Sequence, residues 1–179
     1  MLPLLALLLL VAPTDTIRHP TVVVVRHTEK ASETERDPTL SDAGRTRAAA
    51  LDSALADAHV VAILVTQYRR SVESAAFVAT RHQITPIVIS TDGGIAGHAA
   101  AMASAARKFD GVVLIIGHSN TVMPIVAALG GPKLPDLCDK SYSQLFTVTP
   151  GSTGTSMLRS HFGAADAPGA ESCPAMTPR

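Results

Sequence analysis

The sequence predicts one α/β domain of three layers, with helices on both faces of a mostly parallel central sheet. Two observations carry that expectation. Apolar runs of strand length alternate with stretches of helical spacing, as when each strand is followed by a crossover helix. Hydrophobic residues make up 46% of the 179 positions, yet aromatics only 3% and Trp none, so Ala, Val, Leu and Ile must build the core. Such side chains suit helices packed on strands that are buried on both faces.

Thr21–Arg26 (TVVVVR) reads as a doubly buried strand, because four valines leave no polar face. Ser41 offers an N-cap to a helix expected over Asp42–Ala58. Ala43, Ala50, Leu51, Ala54, Leu55 and Ala58 recur there at helical spacing, and only Arg47 interrupts the apolar face. Val60–Val65 is the second strand, Arg69–Arg81 the second helix, and Pro86–Ser90 a shorter third strand. A glycine-containing loop, Asp92–Gly97, leads to a helix carrying Ala99, Met102, Ala103, Ala106 and Phe109. Val112–Ile116 is the fourth strand, ending at Gly117, and Thr121–Leu129 a short helix closed by Gly130 and Gly131. Gln144–Thr149 and Thr155–Ser160 alternate more and predict a hairpin around Pro150–Gly154.

The ends of the chain read differently. Residues 1–12, MLPLLALLLLVA, are almost wholly apolar and stop at Pro13. That run is too short to span a bilayer but suits the apolar region of a signal peptide, so 1–13 is expected to be a leader and the protein periplasmic or secreted. No stable membrane insertion is expected once it is removed. The domain is expected over 20–162 and a tail over 163–179, rich in Ala, Pro and Gly and poorly ordered unless Cys173 anchors it. In an oxidising compartment Cys138 and Cys173 are expected to bridge.

Lys plus Arg and Asp plus Glu both number 15, so the net charge is zero and a nucleic-acid surface is not expected. Any anion must be held in a local pocket. In open α/β sheets ligands gather beyond the carboxyl ends of the strands. That rule selects Arg26-His27-Thr28, Thr66 to Arg70, Thr91-Asp92 and Gly117-His118-Ser119, so two histidines and two or three arginines converge on one edge. Arginine forks match phosphate oxygens, and neutral imidazole beside guanidinium charge is a good nucleophile toward phosphorus. His118 also opens a helix whose free N–H groups favour an anion. A metal cluster is the poorer use of these ligands, because arginines beside a cation are unfavourable.

In these segments the chain resembles the histidine phosphatase superfamily, with its phosphoglycerate mutase-like fold. Arg26-His27-Thr28-Glu29-Lys30 resembles that family's Arg-His-Gly/Ala-Glu motif, and Leu40-Ser41-Asp42-Ala43-Gly44-Arg45 its Leu-Ser/Thr-x-x-Gly segment. Thr66-Gln67-Tyr68-Arg69-Arg70-Ser71-Val72-Glu73-Ser74-Ala75 is similar to its Ser-Pro-x-x-Arg-Ala-x-Gln-Thr-Ala segment, and Gly117-His118-Ser119 to its second histidine motif. The four occur in order between about Val22 and Thr149. The resemblance implies a phosphatase with a transient phosphohistidine on His27, without a cofactor. Arg26, Arg70 and His118, with Ser119 nearby, would bind the phosphoryl group of a small phosphorylated substrate or a phosphoprotein.

The sequence departs from that pattern at Thr28, where the family has Gly or Ala, and at Thr66-Gln67, where it has Ser-Pro. Asp92 is the local candidate for general acid, with an Asx-turn role as its alternative, and His98 is a second candidate. Glu29, Lys30 and Arg69 are expected at the pocket rim, and Tyr68 against substrate or sheet edge. Two rival readings stand beside this one. A phosphate-binding pseudophosphatase would account for Thr28 and the missing clear acid, and a serine hydrolase would use Ser119 in Gly117-His118-Ser119-Asn120-Thr121. A mutase is disfavoured by the short chain, which lacks the long insertions of that family's mutases.

Overall fold

The computed structural model describes residues 20–170. Among these residues six strands form one sheet and four helices cover it. In chain order these are β1 (Thr21–Arg26), α1 (Asp42–Ala54), β2 (Val60–Val65), α2 (Arg69–His82), β3 (Ile87–Val88), α3 (Gly94–Ala106), β4 (Val112–Gly117), α4 (Val122–Ala128), β5 (Gln144–Gly151) and β6 (Gly154–His161). The strand order is β3-β2-β4-β1-β5-β6. The first four strands run parallel, while β5 pairs antiparallel with β1 and β6 antiparallel with β5.

The two-residue period of the strands sorts the core into two halves. Val22 and Val24 of β1 join Leu64, Ile115, Met102, Ala103, Ile125 and Val126 on the face covered by α3 and α4. Val23 and Val25 join Ile63, Leu114, Leu51, Ala75 and Val78 on the face covered by α1 and α2. All four valines are buried, so the three-layer arrangement follows from an unbroken apolar strand.

Several boundaries differ from the sequence expectation, among them the third helix, which starts at Gly94 inside the expected loop and ends at Ala106, before Phe109. The first helix ends at Ala54 rather than Ala58. Tight bonds from Ala56 N to Ser53 O and from Ala58 N to Leu55 O end it and steer the chain into β2. The third strand shrinks to Ile87 and Val88, both exposed, because it lies at the sheet edge and Pro86 has no N–H to give a ladder. The tail is held from Gly163 to Ala170 through Asp166, while Cys173 and the 1–13 leader lie outside the described residues. Asp166 accepts the N–H groups of Tyr142 and Ser143 and the hydroxyls of Ser141 and Ser143. Arg47, the one charge on the apolar face of α1, donates to Phe162 O, Ala164 O and Glu29 Oε1.

Ser41 caps α1 as expected, its hydroxyl accepting Gly44 N–H at 3.1 Å. Gly44 lies flat on the strand-to-helix loop, where a Cβ would stand 2.1 Å from the Glu29 carbonyl oxygen. No helix among the described residues is long and apolar enough to cross a membrane.

Candidate active site

Register places the two histidines. Arg26 of β1 pairs with Gly117 of β4, and His27 N donates to Gly117 O at 2.9 Å, so His27 and His118 leave adjacent parallel strands side by side. Their ring centroids are 5.2 Å apart. Arg26, His27, Lys30, Tyr68, Arg70, His98, His118, Ser119 and Asp139 all line one cavity of about 440 Å³. Its electrostatics are set by Arg26, Lys30 and Arg70 against a single lining carboxylate, Asp139.

The two histidines are held neutral. Burial first, then the Arg26 charge, lowers His27 to about 2, and burial and then Arg70 lower His118 to about 3. His27 Nδ1 lies 2.8 Å from the Thr28 carbonyl. A carbonyl only accepts, so Nδ1 carries the proton and Nε2 keeps its lone pair. His118 is fixed through Nε2, 3.0 Å from the hydroxyl of fully buried Thr66. Thr66 N–H in turn donates to Ser71, whose hydroxyl donates to Ile116 O. The Thr that stands where the resemblance has Ser therefore orients a ring.

The arginines are built in rather than waving in solvent. Arg26 Nη1 donates to Cys138 O at 2.9 Å and Ser141 O at 3.2 Å, and its guanidinium lies over the Tyr142 ring at 4.1 Å. Its Nε is buried without a partner. Arg70 lies 4.4 Å over the Tyr68 ring and 3.7 Å from Asp37, and Tyr68 meets the His118 ring edge-on.

Several expectations need correction. Asp92 does not line the cavity: it is exposed, its carboxylate accepts the Ser90 hydroxyl at 2.6 Å, and its N–H donates back to Ser90. This is the turn role. His98 is instead buried and in the cavity wall. Thr28 does not crowd His27, because its hydroxyl faces Ser74 at 3.2 Å. Glu29 leaves the rim to pair with Arg47, while Lys30 stays in the wall. Arg69 lies outside the wall, exposed beside Glu73, 3.8 Å away. The turn after β4 offers less to an anion than expected, since the N–H groups of His118, Thr121 and Val122 are all bonded within it. Ser119 donates to Asp139 at 3.1 Å, and the His118 ring is engaged by Thr66, so nothing prepares Ser119 as a nucleophile. His161 pairs with Gln144 at the far side of the sheet and lines a different cavity.

Tyr142, Asp139 and Asp166 were missed by sequence reasoning. Their segments carry no periodicity, but Arg47 on a buried helix face was a usable sign that a buried acid awaited it.

The histidine phosphatase superfamily (branch 1) matches residues 22–92, a span holding Arg26, His27 and Arg70. The geometry adds His118 to the same pocket. The family match spans less than half of the chain, and over most of its length the likeness is to solved structures. No curated protein matches this chain. Among solved structures it is similar to the protein histidine phosphatase SixA bound to tungstate, with TM-score 0.60 and 17% identity over 79% of this chain and 96% of that one. It is also similar to a mycobacterial glucosyl-3-phosphoglycerate phosphatase, with TM-score 0.60 and 14% identity over 83% of this chain and 100% of that one. A third is the SixA-type phosphohistidine phosphatase of Nakamurella multipartitia, with TM-score 0.57 and 18% identity over 82% and 98%. At these identities the likeness is one of fold.

Proposed function

We propose that this protein is a histidine phosphatase that hydrolyses phosphomonoesters or phosphohistidine, on small molecules or proteins, through a covalent phosphohistidine on His27. The observation that carries this is the His27 ring: neutral, proton held on Nδ1 by the Thr28 carbonyl, Nε2 left to attack, with His118 5.2 Å away. Arg26 and Arg70 hold the phosphoryl oxygens and offset the charge that develops as the ester bond lengthens. His118, oriented by Thr66, holds the group from the β4 side. Water then attacks phosphorus and releases phosphate. Structural neighbours that act on protein phosphohistidine and on a glucosyl phosphoglycerate support substrates of both kinds.

Quenching turnover of a labelled phosphoester should trap an acid-labile, base-stable adduct on His27. His27→Ala should remove adduct and turnover while the fold persists. Label on Ser119 would favour the serine-hydrolase reading, and phosphate binding without turnover the pseudophosphatase. Export and the Cys138–Cys173 bridge stay part of the proposal, supported by the apolar 1–12 run and the paired cysteines. Both thiols alkylating in unreduced, unfolded protein would rule the bridge out.

A further inference from the structure

We infer that His98 is the proton carrier of this site, giving a proton to the leaving oxygen through Nε2 and taking one back from the attacking water. This rests on the phosphohistidine reading above and names the substrates it favours: alkyl phosphates, whose alkoxide cannot leave without a proton.

The placement argues for it. His98 stands in the first turns of α3 with 1% of its surface exposed, on the helix whose Ala99 and Met102 pack into the core. A histidine so deep is expected to have both ring nitrogens satisfied. Only one is. Nδ1 lies 3.0 Å from the Ser90 carbonyl, which must accept, so Nδ1 carries a proton and the ring is fixed in orientation. Nε2 is buried and has no partner. The same ring lines the cavity that holds His27, Arg26, Arg70 and His118. Arg26 Nε is the other buried, unpartnered polar atom on a residue of that wall. Two unsatisfied nitrogens on one cavity are what a bound phosphoester would complete.

Asp92, by contrast, is tied to Ser90 outside the wall. Ser90 thus links the two candidates: its side chain engages Asp92, and its carbonyl aims His98.

The proton balance closes over one cycle. The cycle starts with a proton on His98 Nε2 and the phosphoryl group held between Arg26 and Arg70. In the first step a bond forms between His27 Nε2 and phosphorus while the ester P–O bond breaks, and the His98 proton passes to the departing oxygen, releasing an alcohol. In the second, water oxygen bonds to phosphorus as the P–N bond breaks. His27 recovers its lone pair, and the water proton passes to His98 Nε2.

The test compares glycerol 2-phosphate with 4-nitrophenyl phosphate, whose leaving group needs no proton. His98→Asn keeps an amide donor for the Ser90 carbonyl and removes Nε2. It should lower kcat on glycerol 2-phosphate by about 100-fold or more. With 4-nitrophenyl phosphate it should preserve a burst of nitrophenolate, followed by slow turnover and a build-up of phosphohistidine on His27. Should His98→Asn fail to fold by circular dichroism, His98→Gln gives the same reading. Asp92→Asn should change neither substrate. Equal losses on both substrates without a burst, or no loss at all, would overturn the assignment. Absence of any His27 adduct in the unaltered protein would instead overturn the phosphohistidine reading itself.

Discussion

On the parallel side of β1, the site is delivered by strand ends: His118 follows β4, the β2–α2 turn supplies Thr66 and Tyr68, and the first turn of α2 supplies Arg70. On the antiparallel side no strand end contributes. There, the carbonyls of Cys138 and Ser141 and the Tyr142 ring grip Arg26, and that segment is itself held by Asp166 of the tail. One side places reacting groups, and the other immobilises a charge. The difference teaches that the chemical groups come from the repeating βα pattern, while their rigidity is added by later chain that has no pattern.

Breaking each side should give different losses. The largest effect is expected at Arg26, which belongs to both. Arg26→Gln should lower kcat/KM by about 10²–10³, the usual cost of losing a buried donor to transition-state charge. Its melting temperature should change little, because the fold's apolar contacts stay. Asp166→Ala should do the reverse. It leaves two N–H groups, two hydroxyls and the Arg47 guanidinium, 3.7 Å away, short of an acceptor. A stability loss of about 3 kcal/mol is expected by denaturant melts. Where the protein is still folded, KM should rise as the grip on Arg26 loosens. An unchanged KM would show the two sides to be independent.

Acid should expose the parallel side next. His27 and His118 stay neutral when folded, with values of about 2 and about 3, whereas in the unfolded chain they bind protons below about 6.5. The unfolded state therefore holds more protons between those limits, and stability falls as pH drops, by up to about 2.7 kcal/mol per pH unit for the pair. Burial by itself would raise the Asp166 carboxyl, but the N–H groups of Tyr142 and Ser143 and the serine hydroxyls hold it below the usual range, so it adds its own loss at lower pH. Denaturant titrations between about pH 6 and 5 isolate the histidines, and His118→Asn should roughly halve that slope. The smallest effect is Thr66→Val, about tenfold in kcat with little change in stability, the worth of one orienting hydrogen bond.

The sequence made one side of this comparison legible and hid the other. Val22–Val25 and Val112–Ile116 are apolar runs too short for helices, and the rule that ligands gather at strand ends then points at Arg26, His27, Arg70 and His118. His98 was harder to weigh. Its helix reads GIAGHAAAMASAA, and with alanine on every side no polar face reveals which way the histidine turns. The third strand was read too long because Ile and Val favour strands wherever they occur, while only the sheet order shows that this one is an edge. Asp166 sits among Ala, Pro and Gly with no period, so its partners 23–25 residues upstream left no trace in spacing.

The contact between Gly44 and the Glu29 carbonyl also bears on how this protein could be made more heat-resistant. Replacing a helical glycine by alanine ordinarily stabilises by about 0.5–1 kcal/mol. At Gly44 that route is closed, since the added methyl would occupy the space of a backbone oxygen 2.1 Å away. Gly97 in α3 meets nothing within 4 Å and needs no unusual backbone angle. Thermostabilisation should therefore start at Gly97 and leave Gly44 untouched: a methyl at the first would cut the freedom of the unfolded chain, while at the second it would pry α1 off the loop that follows β1.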